Sequence, residues 1–218
     1  MFDSITTLIP YVTYIGQGLF LTLQLLLGGF VIGVVLGTLF AIARYKKNDY
    51  GIVRVIVSIL RGTPVILQLS LVYFSLPAFG IKLDVMWAGI LTFGINSSAY
   101  VAEILRAGIE SLPKGQFEAA KTLQIPSYYT WKDIILPQVV KNILPAMVSE
   151  FIALLKETAV IQVIGGMDIM RKSAVLGAEK FTYFTPLLIA GCYYYFLVIF
   201  IEYIGKKIEQ RGSYVKNK

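Results

Sequence analysis

The chain has 218 residues, 56% of them hydrophobic, with a mean hydropathy of +0.70 and a net charge of +7. That composition excludes an ordinary soluble domain, and the absence of histidine together with a single cysteine, Cys192, excludes a zinc or iron ligand set and a disulfide framework. The basic residues are not gathered on one polar domain, as nucleic-acid binding would require, but fall at the ends of apolar segments.

Five apolar stretches are long enough to cross about 30 Å of hydrocarbon, which takes roughly 20 residues each. Residues 1–10 have no basic start and the apolar run after them is too long for a cleavable signal, so the first span is expected to stay as an anchor. It covers 14–43, and Arg44, Lys46 and Lys47 close it. Its Gly29/Gly33 spacing either lets a neighbouring helix approach closely or reflects the glycine enrichment of membrane helices in general. The second stretch, 52–76, is interrupted by Arg61-Gly62-Thr63-Pro64, which frees backbone groups that hydrocarbon cannot satisfy. A proline kink is one reading. The favoured one is a helix restarting after Pro64, whose amides from Leu67 to Ser70 face a wet cavity and suit a carboxylate.

The third span, 85–109, carries Asn96, Tyr100 and Glu103 on one face, with Ser97 beside them. A carboxylate at that depth is costly unless paired or wet, so Glu103 is either a site residue or the partner of Arg106. A polar island follows, PKGQFEAAKTLQIPSYYTWKDIILPQ at 113–138. It predicts a helix over 115–123, a turn at Ile125-Pro126-Ser127, a second helix over 128–135, and Pro137 opening the next element. Such a two-helix knob on one membrane face suits docking into a groove on a soluble partner. The fourth span, 143–160, places Glu150 and Glu157 on a shared face and turns Lys156 away. Residues 161–180 form an amphipathic connector, either a surface helix or a gate segment. The fifth span, 183–204, is rich in aromatics, and within it Cys192 is expected to be a small buried hydrophobe.

Lysine and arginine are in excess at the ends on the island's side, which places the island and the C-terminus in the cytoplasm and the N-terminus outside. Lys82, Arg171, Lys172 and Lys180 fall on the other side.

Glu118-Ala119-Ala120, followed at a fixed spacing by Ile135-Leu136-Pro137-Gln138, resembles the EAA cytoplasmic loop of ABC importer permeases. Four other elements are similar to the polar-amino-acid branch of that family: Arg106-Ala107-Gly108-Ile109, Pro113-Lys114-Gly115-Gln116, Arg61-Gly62-Thr63-Pro64 with Gln68-Leu69, and Lys156-Glu157-Thr158-Ala159-Val160. The resemblance runs from Gln17 to the C-terminus. One departure is Gln124, where the family usually has glycine; a left-handed helix end there would cost a glutamine roughly 1 kcal/mol.

The resemblance implies an all-α, polytopic membrane protein of the bacterial cell membrane, a single transmembrane domain over 1–218. It implies that Gly115, Glu118, Ala119, Ala120, Gln124 and Pro126 couple the chain to ABC ATPase subunits. A second permease copy or paralogue and an extracytoplasmic amino-acid-binding protein complete the implied partners. No GxxxxGK[ST] sequence occurs, so the chain is expected to be a transport subunit rather than an enzyme and to hold no cofactor, with ATP and Mg on the partner ATPase. The expected substrate site joins the amides of Leu67 to Ser70, for a carboxylate, to Glu103 and Glu150, for an amino group or a cationic side chain. Gln68, Ser70, Asn96 and Ser97 add hydrogen bonds. The acidic excess in this set leans towards arginine, lysine or histidine over glutamine. An ATP-independent channel or secondary transporter would leave the two-helix island without a purpose, and an intramembrane enzyme would lack catalytic groups.

Overall fold

The computed structural model describes residues 5–45 and 51–213, so Lys46, Lys47, Lys216 and Lys218 of the charge count lie outside the described residues. Every regular element among the described residues is helical. The first apolar stretch is two helices, α1 (Ile5–Gly16) and α2 (Leu19–Tyr45), rather than one. The chain breaks at Gln17-Gly18, where a Cβ on Gly18 would collide with the backbone of Asp168 and Ile169. The second stretch is α3 (Ile52–Gly62) and α4 (Val65–Ser70), the latter continuing through a π turn (Leu71–Ser75) and a 3-10 turn (Leu76–Phe79). Thr63 and Pro64 are extended, and the two halves meet at a 103° bend.

Helix α5 (Val85–Glu110) starts at Asp84, whose side chain accepts the Trp87 amide at 2.8 Å. The polar island forms α6 (Lys114–Thr122) and α7 (Ser127–Tyr129). The second island helix does not stop before Pro137, as the sequence predicts. It runs through a π turn (Thr130–Ile135) straight into α8 (Leu136–Glu157). Pro137 sits in the first turn of α8, and the widened turn before it accommodates the missing N–H and the proline ring. A 3-10 turn (Thr158–Ile164) then ends at Gly165, whose φ of 89° closes it. The last two helices are α9 (Ile169–Glu179) and α10 (Phe184–Ser213).

Among the described residues, three segments are long and apolar enough to cross a membrane, Leu8–Tyr45, Val85–Glu110 and Phe184–Gln210, or four if the bent pair α3–α4 is taken as one span. Helix α8 is long enough at 22 residues, about 33 Å, but its Lys141, Glu150, Lys156 and Glu157 make it polar. Contacts at the helix ends give the path. The Tyr45 and Trp131 rings meet at 5.0 Å beside the α6–α7 knob, while at the opposite end Lys172 Nζ donates to Gln17 Oε1 at 2.9 Å. Helices α2, α5 and α10 therefore run towards the knob, and α3–α4 and α8 run away from it.

The core lies where α2 crosses α5, around Leu25, Phe93, Leu154, Leu155 and Ile161. Gly29, Gly33 and Gly37 let the two helices close up: a Cβ on Gly37 would sit 2.7 Å from the Ser98 carbonyl oxygen. Close approach is thus the use these glycines are put to. Buried Asp168 ties α9 to α10, accepting from the Arg171 and Met170 amides at 2.8 and 3.2 Å and from the Tyr194 hydroxyl at 3.1 Å. Burial pushes its carboxyl above the ordinary range, and these hydrogen bonds pull the other way. Cys192 is exposed on α10, not buried. Lipid is as apolar as a protein core, so an apolar neighbourhood in the sequence does not signal burial in such a chain.

Candidate functional site

The α3–α4 break is closed by two amide side chains. Gln68 Nε2 donates to the Leu60 carbonyl at 2.9 Å, the Thr63 hydroxyl at 2.9 Å and the Thr63 carbonyl at 3.2 Å. Asn96, buried on α5, donates to the Leu60 carbonyl at 3.2 Å and to Gln68 Oε1 at 3.1 Å. The carbonyls freed by Pro64 are thus satisfied inside the protein, as hydrocarbon demands. Gln68 and Asn96 serve the backbone here rather than an open cavity. The Leu67 and Gln68 amides both bond the Pro64 carbonyl, at 3.0 and 3.2 Å, so the helix itself takes up these two of the amides assigned to a carboxylate. Leu67 is exposed, and the Ser70 hydroxyl donates back to the Ile66 carbonyl at 2.8 Å.

Glu103 is held among arginines. Its Oε1 pairs with Arg44 of α2 and lies 3.9 Å from Arg61 Nη1, while Arg106 Nε donates to its Oε2 at 2.9 Å. Arg106 also pairs with Glu110. Both readings of Glu103 are thereby joined: it has its partner at Arg106, and it also borders an open cleft. With both oxygens engaged it is a poor receiver for a further ammonium group.

That cleft, about 750 Å³, runs between α5 and α8 from the knob side towards the middle of the bundle. Arg61, Tyr100, Glu103, Arg106, Ser149 and Glu150 are among its polar lining. Glu150 is half-buried on α8, and its Oε1 accepts the hydroxyl of buried Ser97 at 2.6 Å. Ser97 reaches it because α2 has Gly33 opposite, where a Cβ would stand 2.9 Å from the serine oxygen. Of the cleft's two guanidiniums, Arg61 has more donors to spare, because Arg106 is bonded to both Glu103 and Glu110. Arg61 lies over the Tyr100 ring at 5.6 Å, and its side chain is 45% exposed. The structure therefore brings Glu103 and Glu150 of the expected site to the cleft, keeps Ser97 buried behind Glu150, and leaves Leu67, Gln68, Ser70 and Asn96 at the helix break. Two guanidiniums and two carboxylates line it, which removes the acidic excess read from the sequence. Arg61 was legible in the sequence only as part of the break; its place on the last turn of α3, facing the polar face of α5, was the available signal.

At the knob, Ala120 packs inward, and Glu118, Ala119, Gly115 and Pro126 are exposed. Gln124 holds φ 54°, its amide bonding the Lys121 carbonyl at 3.0 Å while Ile125 N reaches the Ala120 carbonyl at 3.0 Å. This is a left-handed helix end built on a glutamine. Paired hydrogen bonds between the Gln116 and Gln138 amides, at 3.0 and 2.8 Å, fasten α6 to α8. Phe117 and Trp131 cover Leu112, Ile135, Val139 and Ile143 beneath. The outer face shows Leu123 at 72% and Tyr128 at 65% exposure, apolar surface that a partner can cover.

Residues 11–213 match the family model described as "Binding-protein-dependent transport system inner membrane component". The chain is 44% identical over 214 residues to a putative glutamine transport system permease protein of Rickettsia conorii, covering 97% of this chain and 98% of that protein. It is 42% identical over 206 residues to an arginine transport system permease protein of Bacillus subtilis, covering 93% and 94%. Among solved structures, an amino acid ABC transporter crystallised with histidines superposes with a TM-score of 0.89 at 35% identity, over 97% of this chain and all of that one. The MetNI methionine ABC transporter shares the fold, with a TM-score of 0.73 at 20% identity over 96% of this chain and 99% of that one.

Proposed function

The chain belongs to the binding-protein-dependent transport system inner membrane components and is an amino-acid ABC importer permease; on that premise we propose that it carries a polar amino acid by its zwitterionic end. The observation that supports this is the cleft, where the half-exposed Arg61 guanidinium and the Ser97-held Glu150 carboxylate line one space. Arg61 receives the substrate carboxylate, and Glu150 receives its ammonium group. A site built on the backbone end of the substrate suits both glutamine and arginine, the substrates named for the two relatives. The side chain extends along the cleft, and a panel of amino acids decides between neutral and basic cargo.

The knob, with its exposed Leu123, Tyr128 and Tyr129, docks an ATPase subunit that binds ATP and Mg. Two permease chains, identical or paralogous, rock between outward- and inward-facing states in a bacterial inner membrane, and an extracytoplasmic binding protein delivers the amino acid. The test is co-purification from membranes through a tag on this chain, then ATPase measurement in lipid with the amino-acid panel. The expected result is a co-purifying ATPase stimulated by glutamine, arginine or both. Recovery of this chain alone, with ATP-independent flux, would overturn the reading.

A further inference from the structure

At the knob end of the bundle, the last turn of α2, the first turn of α3 and the last two turns of α5 enclose a second cavity of about 370 Å³. Its polar wall holds three arginines, Arg44, Arg54 and Arg106, against one carboxylate, Glu110. Arg44 and Arg106 spend donors on Glu103 and Glu110, but each guanidinium has five N–H donors and keeps others free. Arg54 is exposed and makes no ion pair among the described residues. A cluster of this kind suits a phosphate, which takes the fork of a guanidinium through two oxygens.

The neighbouring surface selects the kind of phosphate. Ala41, Tyr45 and Ile109 also wall a separate cavity of about 530 Å³ that is almost wholly apolar, lined further by Ile42, Leu105 and Leu136. Trp131 closes it, meeting Tyr45 edge to face. A positive pocket sharing a wall with an apolar one, beside a tryptophan and a tyrosine at the end of a membrane span, has the layout of a lipid at the bilayer surface. We propose that this surface binds an anionic phospholipid, its phosphate among Arg44, Arg54 and Arg106 and an acyl chain passing Tyr45 into the apolar cavity. Glu103 pairs with Arg44 and Arg106 and also borders the substrate cleft, so such a lipid sits one ion pair from the transport site.

The test uses the tagged chain with whatever co-purifies, reconstituted in nanodiscs of phosphatidylcholine with a minor share of phosphatidylglycerol. Lipid retained after mild extraction is then weighed by mass spectrometry. Wild type is expected to enrich phosphatidylglycerol over phosphatidylcholine. Arg54→Gln lowers that enrichment about fivefold, the effect of one arginine at an anionic surface, with unchanged thermal unfolding, and Arg54→Lys keeps most of it. Ile42→Asn lowers retention of long-chain but not short-chain phosphatidylglycerol. Equal retention of the two lipids by wild type, or enrichment unmoved by Arg54→Gln, would overturn the proposal. So would displacement of the lipid by millimolar inorganic phosphate, which would assign the pocket to a free phosphate. None of these readouts depends on amino-acid transport, so the lipid site stands or falls apart from the substrate cleft.

Discussion

Gln124 occupies a left-handed backbone conformation, φ 54°, at an exposed helix end where its side chain faces solvent. An L side chain in that region carries a steric penalty that glycine avoids, so Gln124→Gly is expected to raise stability by about 1 kcal/mol, read by thermal or denaturant unfolding in micelles. A loss of stability would mean that the glutamine side chain makes a compensating contact. This position was legible in the sequence because the turn is local: a helix before it and Pro126 after it leave little choice. Glu103 was only half legible. Its near partner Arg106 is three residues on, but Arg44 lies 59 residues away on another helix, and no spacing rule reaches that far.

The elements divide along the same line. Arg61-Gly62-Thr63-Pro64 announces its own break, because proline removes a donor and blocks the helix. The Gln17-Gly18 break gave no such sign, since hydropathy runs on through it and its cause is the distant backbone of Asp168 and Ile169. What closes the α3–α4 break was likewise out of reach of the sequence: Gln68 and Asn96 read as polar groups at membrane depth, and their Leu60 and Thr63 partners appear only in three dimensions. Gln68→Ala is therefore expected to cost about 1–3 kcal/mol, the penalty for taking a donor from the Thr63 carbonyl and an acceptor from buried Asn96, visible as a lowered melting temperature of the purified chain. An unchanged melting temperature would return Gln68 to the list of free site groups. On the knob, Leu123→Asp puts a charge on the exposed apolar face without touching the Leu112–Ile135 core beneath it. Its expected result is loss of ATPase co-purification, roughly tenfold or more for a central contact worth over 1.4 kcal/mol, with the melting temperature of the chain itself unchanged.

At the scale of the whole molecule, the polar helix α8 packs against α5, and its Glu150 lines the cleft between them. Among the described residues, three helical segments are long and apolar enough to span, or four with the bent pair, against the five stretches read from the sequence. Helix α8, too polar to count among them, borders a cleft of about 750 Å³ in which Arg61 and Glu150 are among the lining groups. On the proposed function, this cleft holds an amino acid by its two charged ends. The most direct measurement is uptake of labelled glutamine and arginine into proteoliposomes of the whole transporter, comparing wild type with Arg61→Gln and Glu150→Gln. Each substitution removes one charge-assisted hydrogen bond, worth about 1.5–3 kcal/mol, so uptake of both amino acids at low substrate should fall roughly 10- to 100-fold while assembly with the ATPase stays intact. Uptake unchanged in both variants, with the complex assembled, would contradict the claim and leave the cleft without its substrate.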